Sequence, residues 1–225
     1  MTHHPLIIAI TTRALFDFSE ENQVYEQQGL AAYKAYQRDH EQTPLQPGAC
    51  FSLVKKLLAL NTNPKRPLVD VILCSRNSAD SGLRVFNSIS HYGLAITRAF
   101  FSDGQPVHLY LKAYDAQLFL SANASDVVNA LSLGIASATM LPVPKSVSQP
   151  NPTDTDDQLR FAFDADCVLF SDAIERINQQ YGLDAFAKNE KDNAHVALPE
   201  GPFSGFLRTF GHLQSSLPDT SIIRT

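Results

Sequence analysis

The sequence has no tryptophan and little sulfur: its 225 residues include two methionines and three cysteines. The cysteines, Cys50, Cys74 and Cys167, are odd in number and lack the paired spacing of a zinc site. This usage argues against bound zinc. It predicts three reduced, buried thiols of the kind found in cytosolic proteins.

Long apolar runs are also missing. The longest, such as Leu6 to Ile10 and Leu68 to Leu73, have the length of a strand, whereas a membrane span needs about 18 residues. The amino terminus lacks the basic region and the long apolar region of a secretory signal. We therefore expect a cytoplasmic protein with no membrane partner.

Positive charge is in deficit, because 18 lysines and arginines face 23 aspartates and glutamates, for a net charge of −5. Nucleic-acid binding needs a basic face that displaces counterions from phosphates, so we expect no nucleic-acid partner. A few local cations and a metal can still hold a small phosphorylated ligand. The hydrophobic share of 44% and the charged share of 18% predict a packed core.

What the sequence does contain is an alternation of short apolar runs and helical patterns. Pro5 to Ile10 and Leu68 to Ser75 have the pattern of buried strands. Ser19 to Asp39 and Ser81 to His91 have helical patterns, the first interrupted by Gly29. This alternation predicts an α/β fold, a Rossmann-like three-layer sandwich with a mostly parallel sheet and helices on both faces.

A change of composition divides the chain at residues 142–157. Four prolines lie there among Ser, Thr, Asp and Asn, and nothing in the segment can build a core. We interpret residues 142–157 as a Pro-rich linker.

The pattern restarts after this linker at a constant offset. Gly182 lies 153 residues after Gly29, and Gly201 lies 153 residues after Gly48. Such self-similarity predicts an internal duplication. Residues 1–141 are interpreted as a first Rossmann-like copy with a degenerate motif, and residues 158–225 as the start of a second, incomplete copy.

The strongest local signal is the pair Asp164 and Asp166, which follows the apolar stretch Phe161 to Phe163. Residues i and i+2 of an extended chain point to the same side, so both carboxylates are expected at the carboxyl end of a strand, where α/β proteins bind ligands. Two close carboxylates need a cation, and Mg²⁺ accepts carboxylates, water and a substrate phosphate. The alternative is a turn in which Asp164 or Asp172 only caps a helix.

Such a pair suits phosphoryl transfer. One carboxylate can attack a phosphoryl group and form an aspartyl-phosphate. The other can protonate the leaving oxygen and then activate the hydrolytic water.

The phrase FDADCVLFSD resembles the first motif of the haloacid-dehalogenase-like (HAD-like) phosphohydrolases, D-x-D-x-[T/V]. Over nearly its whole length the chain is similar to the cytosolic type I 5′-nucleotidases, in phrases that include TTRALFDFSEEN, CSRNSADSGLRVFNSISHYGLAITRAFF and YLKAYDAQLFLSAN. The resemblance implies a HAD-like fold and Mg²⁺-dependent dephosphorylation of nucleoside 5′-monophosphates. It also implies that Asp164 is the nucleophile, that Asp166 is the general acid and base, and that both lie near the metal.

The family pattern continues after D-x-D through a Ser/Thr motif, a lysine and paired acids. The first copy has Ser75 and Lys112 at corresponding places, which the resemblance suggests as phosphate ligands, but it has Thr11-Thr12-Arg13 where D-x-D belongs. Either the chain is shortened and the rest of the site lies in an absent carboxyl half, or Ser75 and Lys112 act across the copies, with Asp126 helping to bind the metal. We favour a shortened chain and expect it to be weakly active or inactive.

Polar residues of the first copy are candidate substrate ligands, and they are Arg13, Arg76, Asn77, Arg84, Asn87 and His91. Those on the helical pattern recur at steps of three and four residues and share one face. Arginine can grip phosphate through two hydrogen bonds, and asparagine can pair with a purine edge. The alternative is a solvated helix face with local hydrogen bonds.

The predicted function is that of a Mg²⁺-dependent 5′-nucleotidase. A non-catalytic nucleotide-binding or regulatory module is the alternative, because the first copy has a degenerate motif, and a phosphohydrolase of another small ester is a third possibility. A half-built second copy would expose strand edge and apolar surface. We therefore expect a homo-oligomer or association with the missing carboxyl-terminal half.

Overall fold

The computed structural model describes residues 4–76, 82–142 and 158–225. In chain order the strands and helices are β1 (Leu6–Thr11), α1 (Thr12–Leu15), β2 (Phe16–Asp17), α2 (Ser19–Asp39), β3 (Gln46–Pro47), α3 (Phe51–Ala59), β4 (Val69–Ser75), α4 (Gly82–His91), β5 (Arg98–Phe101), α5 (His108–Leu111), β6 (Leu118–Ser121), α6 (Ala124–Ser132), β7 (Ala136–Thr139), β8 (Leu159–Arg160), α7 (Ala173–Tyr181), α8 (Leu183–Asp192), α9 (Ser204–Ser216) and β9 (Ile223–Arg224). No helix within these described ranges is both long enough and apolar enough to cross a bilayer.

The centre of the fold is a five-stranded parallel sheet in the order β5-β4-β1-β6-β7. Alternate residues of β1 point to opposite faces, so Leu6, Ile8 and Ile10 join one apolar cluster and Ala9 joins another. The first cluster includes residues of α3 and α4, and the second includes residues of α5 and α6. Helices therefore cover both faces of the sheet, and the predicted α/β, Rossmann-like sandwich is confirmed.

The interruption predicted at Gly29 is a kink inside α2. Gly29 has φ of 80° and ψ of −176°, which breaks the helical path between its two halves. A positive φ is costly for residues with a Cβ atom but not for glycine. The sequence pattern therefore located both the helix and its break.

Several backbone features of the second segment lie 153 residues after matching features of the first. Gly182, between α7 and α8, has φ of 83° and ψ of 176°, nearly the conformation of Gly29. β8 pairs with β9 in parallel, as β1 pairs with β4. α9 begins at Ser204, which is 153 residues after the first residue of α3, Phe51. These matches support the proposed division into two copies. Of the proposed linker, residues 143–157 lie outside the described ranges.

The second segment packs on the first rather than apart from it. Phe206, Phe210 and Leu213 of α9 are buried in the same cluster as Leu6 and Ile8 of β1. Burial of apolar side chains is the main favourable term in folding. The two segments therefore share one core.

Gly48 makes a backbone contact that leaves no room for a side chain. A Cβ atom there would lie 2.8 Å from the Phe16 carbonyl carbon and 2.9 Å from the Leu15 carbonyl carbon. Backbone atoms cannot move aside cheaply, so we expect Gly48→Ala to lower the free energy of unfolding by about 1–3 kcal/mol, measured by urea denaturation. The matched control is Gly211→Ala in α9, where nothing lies within 4 Å of the new Cβ and where alanine should stabilise the helix by up to about 1 kcal/mol. If both substitutions changed the free energy of unfolding equally, the close backbone contact at Gly48 would be contradicted.

Candidate functional site

The D-x-D pair lies just beyond β8, on the carboxyl side of that strand. The Asp164 carboxylate accepts a hydrogen bond of 2.7 Å from the Ala165 backbone N–H through Oδ1. Asp164 therefore does cap the irregular helical turn that follows it, Ala165–Leu169. The cap engages one carboxylate oxygen and leaves the other available to a ligand.

The chain turns sharply after this pair. Asp166 is extended, with φ of −77° and ψ of 136°, and Cys167 has φ of 61° and ψ of 0°. A residue other than glycine in the left-handed region is uncommon, and such strain concentrates at functional sites. Asp164 and Asp166 are both exposed, so ligand and water can reach both carboxylates.

The chemistry of this pair fits Mg²⁺. The ion is typically held by one or two carboxylates together with water and substrate phosphate. The two exposed carboxylates of the pair can be these protein ligands. Within the described ranges no three His, Cys, Asp or Glu residues group so as to hold a metal by themselves. In this part of the chain the pair would therefore supply a metal with two carboxylate ligands and leave its other positions to other oxygen donors such as water and substrate phosphate.

A cavity of about 180 Å³ opens at the carboxyl edge of the central sheet, and we call it the edge cavity. It is lined by Thr11, Thr12, Arg13, Cys74, Ser75, Arg76, Val107, Ser121, Ala122, Asn123 and Asp126. Most of these residues are the last residues of β1, β4 and β6 or come directly after them. β1 and β6 are neighbours in the sheet, and the chain runs from β1 to strands on one side and from β6 to β7 on the other. Open α/β sheets bind their ligands at such a switch point.

The structure brings three of the predicted site residues together in the edge cavity: Arg13, Ser75 and Arg76. Arg76 forms an ion pair with Asp126, whose side chain is only 4% exposed, while that of Arg76 is 41% exposed. Asp126 is therefore engaged by a guanidinium and is not a free metal ligand. Sequence reasoning missed this ion pair because its two residues lie 50 positions apart.

The other candidate ligands of the first copy do not line this cavity. Lys112 is exposed on the turn after α5. Asn87 donates a hydrogen bond of 3.0 Å to the Glu41 carbonyl oxygen, and His91 is exposed beside the ring of Tyr92. Asn77 lies outside the described ranges.

The Arg84 side chain is held by partners inside the protein and is not open to a ligand. Its guanidinium donates to the Glu21 carboxylate at 2.6 Å and to the Thr43 carbonyl oxygen at 2.9 Å. The side chains of Arg84 and Glu21 are 6% and 4% exposed. Arg84 thus joins α4 to α2 inside the protein, and we do not propose it as a substrate ligand.

A larger cavity, of about 980 Å³, lies between α3, the segment before β4 and the residues after α9. It contains Lys56, Arg66 and Ser221 but none of the predicted site residues. The segment before β4 belongs to the amino edge of the sheet, whereas ligands of α/β proteins bind at the carboxyl edge. We therefore do not place the chemistry there.

The three cysteines differ in exposure. Cys50 and Cys74 are buried, whereas Cys167 is exposed, so the prediction of three buried thiols was wrong for Cys167. Burial raises the pKa of Cys50 to about 12 and raises that of Cys74 further. Partial desolvation and the neighbouring carboxylates also raise the pKa of the exposed thiol.

With a disulfide reagent at neutral pH we expect one thiol per folded chain to react faster than the other two, since buried thiols are inert, and three to react after denaturation. Because its pKa is raised, the exposed thiol should still react more slowly than a free cysteine. The absorbance of the thiolate released from the reagent counts the reacted thiols in the folded chain and in the denatured chain. The Cys167→Ser variant should lose the fast thiol and keep the other two. A fast thiol that persists in this variant would contradict the burial of Cys50 or Cys74.

Comparison with known proteins shows which proteins this chain is similar to. The family model described as 5′-nucleotidase matches residues 1–225. A curated relative, cytosolic 5′-nucleotidase 1B of Homo sapiens, is 38% identical over 215 residues, which cover 93% of this chain and 34% of that protein. The chain thus spans about a third of the length of this relative. No solved structure matches.

Proposed function

This chain belongs to the 5′-nucleotidase family, and we propose that its D-x-D pair hydrolyses nucleoside 5′-monophosphates in the cytoplasm with the help of Mg²⁺. The observation that carries this proposal is the pair itself, Asp164 and Asp166, exposed on the carboxyl side of β8. The family match over the whole chain supports it, as does the similarity to the human relative, whose name is that of a cytosolic 5′-nucleotidase.

In the proposed reaction the free oxygen of the Asp164 carboxylate attacks the phosphorus atom. The bond between phosphorus and the 5′-oxygen of the nucleoside breaks, and Asp166 gives that oxygen a proton. The product on the protein is an aspartyl-phosphate at Asp164. Asp166 then takes a proton from water, which attacks phosphorus, releases inorganic phosphate and restores the Asp164 carboxylate.

The metal would be held by the same two carboxylates, and when bound it would neutralise charge on the phosphoryl oxygens. Phosphoryl transfer depends mainly on positioning and on charge neutralisation. No third protein carboxylate joins the pair within the described ranges. We therefore propose that turnover by this chain is low and depends on Mg²⁺.

The test is release of inorganic phosphate from AMP and IMP, with Mg²⁺ and with a chelator. Release that requires both Mg²⁺ and Asp164 supports the proposal.

A second candidate function, nucleotide binding without turnover, is favoured by the cationic edge cavity. Calorimetric titration with AMP separates the two, because the second candidate predicts binding without phosphate release.

Association with further protein surface remains a prediction. The second segment exposes large apolar side chains, among them Tyr181, Leu183 and Val196. Exposed apolar groups of this size favour contact with another protein surface. Light scattering at micromolar concentration would detect a homo-oligomer, and a strictly monomeric species would contradict one.

A further inference from the structure

The two copies differ in charge at the position that defines the proposed catalytic pair. At the offset of 153 residues, Thr11 corresponds to Asp164 and Arg13 corresponds to Asp166. Thr11 and Arg13 both line the edge cavity. We propose that the edge cavity is a metal-independent binding site for a phosphate group, either inorganic phosphate or the terminal group of a phosphate monoester.

The exchange of residues explains why no metal is needed. Two carboxylates repel a phosphate unless a cation lies between them. A hydroxyl and a guanidinium attract the phosphate directly, because arginine supplies a permanent charge and paired N–H donors. In the first copy the positive charge of Arg13 therefore takes the place of the metal cation.

The charges of the lining favour an anion. Arg13 is exposed, and no carboxylate pairs with it in the described part of the chain. Arg76 is paired with Asp126 but remains 41% exposed. Among the described residues that line the cavity there are two guanidinium groups and one carboxylate, so these residues together carry one net positive charge.

Hydrogen-bond donors surround the same space. The Thr11 hydroxyl accepts a long hydrogen bond, 3.4 Å, from the Ala122 N–H, and a hydroxyl that accepts can still donate. Asn123 caps α6 by accepting from Ser125 N–H at 2.9 Å, so the positive end of that helix dipole also lies at the cavity. These donors follow β1 and β6, which are neighbours in the sheet, and their residues line the same cavity.

The size of the cavity limits the ligand. A volume of about 180 Å³ holds a phosphate group, whereas pockets that enclose a whole drug-sized molecule have volumes of about 300–1,000 Å³. A nucleoside attached to the phosphate would therefore extend into solvent. We expect the site to recognise the phosphate group rather than the base.

The experiment is a calorimetric titration of the full chain with inorganic phosphate, AMP and adenosine, in a chelator that removes divalent cations. We expect saturable binding of phosphate that Arg13→Ala weakens about tenfold or more, because a hydrogen bond to a charged group is lost. Arg38→Ala is the matched control, since Arg38 is exposed on α2 and lies outside the cavity. Asp164→Asn should leave the binding unchanged.

The outcomes separate the two phosphate sources and keep this proposal apart from the proposed catalysis. Competition between phosphate and AMP supports a site open to monoesters, and binding of phosphate alone supports a site for the free anion. Binding of adenosine as tight as that of AMP, or no binding of either phosphate compound, overturns the proposal. Binding lost in Asp164→Asn but kept in Arg13→Ala overturns it as well. A chain that binds phosphate but hydrolyses nothing would contradict only the proposed function.

Discussion

The Asp164→Asn variant is expected to lose Mg²⁺-dependent phosphate release from AMP by about 1,000-fold or more, because removal of a covalent nucleophile removes the chemical step. Asparagine keeps the size of the side chain and its amide oxygen can still accept from Ala165 N–H. The turn after β8 should therefore persist in the variant. The measurement is the initial rate of phosphate release, together with mass spectrometry of the acid-quenched protein for a phosphoryl group on Asp164.

Asp184→Asn is the matched control for this prediction. Asp184 is an exposed aspartate in the first turn of α8, so its removal changes net charge equally but leaves the D-x-D pair intact. We expect its rate to equal that of the unsubstituted chain. Phosphate release that survives Asp164→Asn would move the nucleophile to another residue. AMP binding without any release, even by the unsubstituted chain, would favour the non-catalytic function.

The elements that the sequence predicted are those with a local signal. β1 and β4 are continuous apolar runs, and such runs are typical of strands buried on both faces. The break at Gly29 has a local cause as well, because glycine takes a positive φ without strain. The D-x-D pattern is local too, because only Ala165 separates its two aspartates, and its catalytic role stays a prediction.

The features that the sequence did not predict depend on residues far apart in the chain. Arg84 has the spacing of a solvent-facing ligand on α4, but its partner Glu21 lies 63 positions away on α2. Cys167 sits among apolar residues, yet its burial depends on what packs over the turn, and there it remains exposed. The edge cavity combines the ends of three strands, so no window of sequence contains it.

Replacement of Arg84 by alanine tests this structural role. We expect Arg84→Ala to lower the free energy of unfolding by about 3–5 kcal/mol, because Glu21 would remain as a buried carboxylate without its partner. The Thr43 carbonyl oxygen would also lose a donor. Urea denaturation followed by circular dichroism measures the change as a lower midpoint.

Arg176→Ala supplies the comparison, because Arg176 pairs with Asp172 on the surface, where the two side chains are 74% and 50% exposed. Water already screens that pair, so its loss should cost less than about 1 kcal/mol. A double variant, Glu21→Gln with Arg84→Met, should recover part of the stability lost in Arg84→Ala, since it leaves no buried charge without a partner. If Arg84→Ala instead unfolded at the original midpoint and bound AMP more weakly, the guanidinium would be a substrate ligand and its ion pair with Glu21 would be incidental to the fold.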